Sequence, residues 1–287
     1  MAIFLTGGTG KTSIRIAGLL QDAKIPFLLG SRRGASAAPS GMVAVKFDWL
    51  DDSTFKNPFE HRIPSGEAIK AVYLVAPEVD EPAPSMNAFI DYATKEHGVK
   101  RFVLMAGSSA EPGGWHVGKV WSHLLDIGVE YAVLKPSWFM ENMSEGFHQS
   151  SIRDRHQLYT ACADGKIPFI SAEDIAAVAF RTLTDEKPHN TSYRVLGPEL
   201  LTHDQIAEKL SKILGREIKN VKPTEEERKK SLTDAGLPQH YAGFLTSLEV
   251  MAAKNLEALE GNDVEKVTGR PPQSFDTFAE KNKAAWR

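Results

Sequence analysis

Short apolar runs recur through the first half of the chain, at Ile3–Thr6, Phe27–Gly30, Val43–Phe47, Ala71–Val75, Arg101–Met105 and Tyr131–Leu134. The stretches between most of them suit crossover helices, and near-continuous apolar strands alternating with helices are what a parallel sheet covered on both faces requires. The pattern predicts a doubly wound α/β fold. Past Pro136 the rhythm changes: strand-like runs at Ile167–Ile170 and Tyr193–Leu196 flank a helix predicted over Ala172–Leu183, opened by Ser171, Glu173 and Asp174. From Thr202 helices dominate, one over Thr202–Leu214 stopped by Gly215, a charged one from Thr224 and a longer one after Pro238. In the charged helix Glu225–Glu227 precede Arg228–Lys230, the order a helix dipole favours, which reads as solvated surface. The chain therefore divides, on sequence, into a first domain over 1–136 and a smaller, mostly helical lobe over 137–287, with about 167–196 returning to the first. Gly34–Gly41, rich in Ala and Ser, reads as a mobile surface loop.

The length of 287 residues, 42% of them hydrophobic, suffices for such a core without disulfide or metal staples. Acids (37) and bases (34) are interspersed with a net charge of −3, so no basic stripe marks a nucleic-acid surface and no polybasic membrane anchor is present. The single cysteine, Cys162, rules out an intramolecular disulfide and fits a reducing, cytoplasmic setting. Met1–Leu5 is apolar but has no basic region before it and runs into glycines, so no signal peptide is expected, and no apolar run reaches the ~18 residues of a membrane span. The nine histidines are scattered without ligand spacing, so no metal site is expected.

Between the first strand and a helix with Ile14, Ala17, Leu19 and Leu20 as its apolar positions lies Thr6-Gly7-Gly8-Thr9-Gly10-Lys11-Thr12-Ser13. Gly10-Lys11-Thr12 imitates the tail of a nucleotide-wrapping P-loop, but that motif needs a glycine where Leu5 stands, and the loop would be too short. A dinucleotide site fits better: Gly7 and Gly10 give a tight turn, and the backbone of Thr9, Gly10, Lys11 and Thr12 offers amides to a pyrophosphate at a helix N-terminus. The third position of that fingerprint is Ser13, small enough to replace glycine. After the second strand stand Ser31, Arg32 and Arg33 with no carboxylate, which favours the extra phosphate of NADP over the bare ribose of NAD. After the third strand Asp48 and Trp49 offer a carboxylate and a ring face to adenine, with a core role for Trp49 equally open. Val75, Ala76 and Pro77 would border the ribose and pyrophosphate after the fourth strand.

The glycine loop, with Leu134-Lys135-Pro136-Ser137-Trp138-Phe139-Met140-Glu141-Asn142, Asp174-Ile175-Ala176 and Val267-Thr268-Gly269-Arg270-Pro271-Pro272, resembles the NmrA-like atypical short-chain dehydrogenases over essentially the whole chain. Within that group Lys46-Phe47-Asp48-Trp49-Leu50, Gly165-Lys166-Ile167-Pro168-Phe169-Ile170-Ser171 and Leu196-Gly197-Pro198-Glu199-Leu200-Leu201 are similar to the fungal festuclavine/agroclavine dehydrogenases of ergot alkaloid pathways. The resemblance implies an NADPH-bound Rossmann domain, a C-terminal lobe closing over the nicotinamide, and hydride delivery to the iminium of a cationic indole-alkaloid-type substrate.

Short-chain dehydrogenases commonly pair a tyrosine acid with a lysine four residues on. Lys119 stands at the matching lysine position, but Trp115 stands where the tyrosine would be and cannot act as that acid. An iminium already carries the positive charge that protonation gives a carbonyl, so its reduction needs no general acid. The resemblance implies that Lys119 binds the nicotinamide ribose and that Ser108 faces the substrate, with surface and capping roles as the alternatives. His123, four residues beyond Lys119, is a candidate proton donor or a structural histidine. Trp115, Trp138, Phe139 and Met140 offer an aromatic wall to an indole cation, or core packing. Reduction of an activated C=C or an aldehyde, a non-redox cyclisation, and NADP binding by a redox-sensing regulator remain open alternatives, and oligomeric state is not legible.

Overall fold

The first apolar run forms β1 (Ala2–Leu5), all four residues buried, and the glycine turn leads into α1 (Lys11–Asp22). There follow β2 (Phe27–Ser31), β3 (Ala44–Lys46), α2 (Asn57–Glu60), β4 (Ile69–Leu74), α3 (Ala83–His97), β5 (Arg101–Met105), α4 (Gly118–Asp126) and β6 (Glu130–Pro136). The chain continues through α5 (Glu141–Ser144), α6 (Gln149–Arg155), β7 (Gln157–Tyr159), α7 (Ala172–Thr184), β8 (Thr191–Val195), α8 (His203–Leu214) and β9 (Lys219–Val221). It ends with α9 (Glu225–Asp234), α10 (Gln239–Ala253), α11 (Val264–Thr268) and α12 (Phe275–Lys281). This computed structural model describes residues 1–64, 66–146 and 148–287. It divides into two units, Met1–Pro136 with Ala172–Val195 and Lys266–Gly269, and Ser137–Ser171 with Leu196–Glu265 and Arg270–Arg287.

In the first unit seven strands among the described residues form one parallel sheet in the order β3-β2-β1-β4-β5-β6-β8, the doubly wound α/β fold that the apolar rhythm predicts. Strand order reverses between β1 and β4, so the chain leaves their carboxyl ends in opposite directions and opens a crevice there. One face of the sheet carries an aromatic cluster in which Phe47 lies edge-on to Trp49 at 4.9 Å and to Phe89 at 5.0 Å. The buried stripe of α1 is Ser13, Ile16, Ala17 and Leu20, with Ile14 and Leu19 only half-buried. It differs from the predicted apolar set because the helix begins at Lys11 and its core-facing positions follow from there at three- and four-residue steps. Gly34–Ala37 winds into a short 3-10 turn where a plain loop is predicted.

The second unit holds a two-stranded parallel sheet, β7 with β9, and most of the C-terminal helices. Ile167–Ile170, predicted as a strand, makes only isolated bridges, Ile167 to Leu201 and Ile170 to Phe139, because Pro168 lacks the amide a ladder needs. Reciprocal caps open α8 (Thr202 with Gln205) and α9 (Thr224 with Glu227). Arg228 of α9 and Glu249 of α10 form a buried bidentate ion pair at 2.8–2.9 Å, and Glu249 also accepts from the Ala161 amide. His203 is fully buried beside Phe169 and Trp138, its ring centroid 5.3 and 6.2 Å from theirs, and neither ring nitrogen has a hydrogen-bond partner among the described residues.

Candidate functional site

The crevice at the carboxyl ends of β1, β2 and β4 is a groove of about 710 Å³ within the first unit. Its floor is the glycine turn. Gly7 adopts φ +67°, and a Cβ there would stand 3.0 Å from the Val75 side chain. The Gly8 amide donates to the Gly30 carbonyl at 2.9 Å, and a Cβ on Gly8 would lie 2.6 Å from that oxygen. The Gly10 amide turns back to the Gly7 carbonyl at 2.7 Å, which keeps the loop too tight to wrap a triphosphate. Ser13, where the fingerprint has its third glycine, is buried and donates to the Thr6 carbonyl at 2.8 Å, so helix and strand are joined by a hydrogen bond where glycine would permit bare contact.

Gly7, Thr9, Gly10, Ser31, Arg32, Arg33, Asp48, Trp49, Val75, Ala76 and Pro77 all line this groove. Lys11 and Thr12 do not. The Thr12 side chain is buried and accepts from the Tyr73 hydroxyl at 3.1 Å, which leaves the backbone of this helix start, and not its side chain, to face a phosphate. Arg32 and Arg33 are exposed, and the Arg33 amide donates to the Ser31 hydroxyl at 3.3 Å. The Asp48 carboxylate accepts from the Leu50 amide at 3.0 Å. Trp49 lines the groove while its ring packs in the aromatic core, the alternative role open to it, and its Nε1 donates to the Val75 carbonyl at 2.9 Å. Leu50, 69% exposed, lines the groove beside it. Sequence reasoning missed Gly8, Gly30, Phe47, Leu50, Glu78 and Val79 in the lining. Glu78 and Val79 directly follow Pro77, and Leu50 directly follows Asp48-Trp49, so adjacency was the available signal for all three.

Ser108, Trp115 and Lys119 sit further along the same sheet edge, on the segment joining β5 to α4 and on the first turn of α4. Trp115 is 61% exposed. The half-exposed Lys119 ammonium lies 2.8 and 3.1 Å from the two carboxylate oxygens of Glu81. His123, a candidate proton donor or structural histidine, has its Nε2 2.8 Å from Asp91 on α3 and so bridges two helices. The Asp91 carboxyl is held below its ordinary range chiefly by the hydrogen bond from Lys95, with His123 adding to it.

Trp138, Phe139 and Met140 lie in the second unit. Met140 is buried with Met143, Ile152 and Phe169, the packing alternative open to it. Trp138 is half-buried against the same cluster, and Phe139 pairs with Ile170. Among the described residues no helix is long and apolar enough to cross a membrane.

The NmrA-like family profile matches residues 118–279. The chain is 44% identical to the agroclavine dehydrogenase of Claviceps fusiformis, covering 100% of this chain and 99% of that protein. It is 43% identical to the festuclavine dehydrogenase of Aspergillus fumigatus, covering 100% and 99%. Among solved structures, an NADPH-dependent quinone oxidoreductase from Escherichia coli superposes with a TM-score of 0.78 at 22% identity, covering 99% of this chain and all of that one, which establishes the shared fold. The chain belongs to the NmrA-like family and is an oxidoreductase of that family.

Proposed function

We propose that the protein is an NADPH-dependent reductase of an iminium in a cationic, indole-alkaloid-type intermediate. The observation that carries the reading is the groove whose β2 end presents Ser31, Arg32 and Arg33 with no carboxylate, in a chain with full-length clavine dehydrogenase relatives. The groove has the features a dinucleotide needs, because the floor is glycine where a Cβ would intrude and the start of α1 turns its amides outward. Gly7, Thr9 and Gly10 with the α1 amides would hold the pyrophosphate, Arg32 and Arg33 the 2′-phosphate, Asp48 and Leu50 the adenine, and Val75–Pro77 the ribose side. When bound, the nicotinamide supplies a hydride equivalent to an electrophilic carbon.

Lys119 would contribute positive charge near the nicotinamide ribose, and Ser108 would orient the substrate. Trp115 replaces the tyrosine acid of related enzymes with an apolar ring that holds no transferable proton, suited to an electrophile that already carries its charge. Its exposed face would attract such a cation by about 0.5–2 kcal/mol. Orientation would then supply most of the rate. In this reading His123, paired with Asp91, joins α3 to α4 and transfers no proton. The lone, buried Cys162 suits a cytoplasmic setting.

The test is a fluorescence titration with NADPH and NADH, on the unaltered protein and on Arg32→Ala, followed by addition of a cyclic iminium. The reading expects NADPH preference, a loss of at least tenfold in NADPH affinity in the variant with little change for NADH, and oxidation on addition of the iminium. Equal affinity for both cofactors would overturn the NADP assignment. Tight NADPH binding with no oxidation would leave a regulatory or non-redox role.

A further inference from the structure

We infer that Lys135 and Glu111 form a positioning pair that sets the turn carrying Trp115, and through it substrate binding, without touching the cofactor groove. The inference rests on the proposed substrate role of Trp115.

Side chains alternate along β6, so Lys135 points to the same face as Val133, which packs in the core beneath α4. The Lys135 side chain is only 8% exposed, its ammonium lying 2.6 Å from a Glu111 carboxylate oxygen and 5.7 Å from the centroid of the Trp121 ring. Desolvating an ammonium costs several kcal/mol, and an apolar side chain would fill the same space at lower cost. Packing alone therefore does not account for a lysine here, and what the charge gains is a fixed grip on Glu111.

Glu111 is the hub of the turn between β5 and α4. Its carbonyl accepts from the Gly114 amide at 3.0 Å, and a Cβ on Gly118 would collide with that same oxygen. The Gly113 amide donates to the Gly118 carbonyl at 2.8 Å, closing the turn onto the first residue of α4. Trp115 stands on the crest of this closed turn, and the Glu111 side chain ties the hub to the strand below. Shifting the hub shifts the indole, and with it the surface offered to a substrate.

The experiment compares Lys135→Met, which keeps the stem and removes the charge, with Glu111→Gln, Lys135→Arg and the double variant Lys135→Met/Glu111→Gln. Three quantities are read: acrylamide quenching of Trp115, taken as the difference from a Trp115→Phe background; NADPH affinity; and KM against kcat for a cyclic iminium. We expect altered quenching in both single charge-removing variants, KM raised at least fivefold, NADPH affinity within twofold, no further loss in the double variant, and recovery in Lys135→Arg. Unchanged quenching overturns the inference, as does a parallel loss of NADPH affinity, which would place the pair in service of the whole fold. Because Glu111 is 70% exposed, its variant keeps the test valid if the lysine variant folds poorly. If quenching changes but Trp115→Ala leaves KM untouched, the pair positions the turn and the substrate role of Trp115 is what fails.

Discussion

A methyl group at position 8 would stand 2.6 Å from the Gly30 carbonyl oxygen, a backbone atom that cannot swing aside. Gly8→Ala should therefore push the turn off the end of β2, weakening NADPH binding at least tenfold in titration and lowering the melting temperature. Ser13→Ala removes one buried hydrogen bond to Thr6 and should cost about 1 kcal/mol in urea unfolding. The glycine turn and the placement of Ser31–Arg33 at the end of β2 were readable in the sequence because they are local: a strand end, a turn and the first residues after it. The core packing of Trp49 was not, since it depends on Phe47 and on Phe89, forty positions away on another element. His123 hides in the same way, its role being set by an aspartate 32 residues earlier that only helix packing brings to 2.8 Å.

The α9–α10 hairpin turns on one interaction between elements. Glu249→Gln leaves the buried Arg228 without its counter-charge and should destabilise the protein by about 3–5 kcal/mol in denaturant unfolding, whereas Arg228→Met with Glu249→Leu should recover most of that. The sequence placed Arg228 in a solvated charge run, and composition gives no hint that one guanidinium of the six charged residues from Glu225 to Lys230 turns inward. Caps and stops were legible at this scale because they are written within four residues, as at Thr202 and Gly215 around α8. β7 and β9 were not, for three residues cannot display a period.

For the molecule as a whole, His203 links stability to acidity. Burial first, and the charge of Arg228 second, pull its pKa from 6.5 down to about 4, against a smaller opposing pull from Asp204. Folded protein therefore keeps the ring neutral where the unfolded chain would protonate it. Its contribution is complete above about pH 6.5 and is lost as pH falls toward about 4. Urea midpoints at about pH 7 and about pH 5 should separate more in the unaltered protein than in His203→Phe, which has no proton to take up.

The strand order carries a consequence for synthesis on the ribosome. β8 pairs with β6, yet about 55 residues lie between Pro136 and Thr191, and α7, which packs against α1, is made in that interval. At roughly 5–20 residues per second the nascent chain waits about 3–11 s with the β6 edge unpaired and one face of α1 uncovered. The strand that closes this edge of the sheet is thus the last of the seven to arrive, and until then the growing polypeptide presents a bare parallel edge that a chaperone, or a neighbouring nascent chain, can reach first.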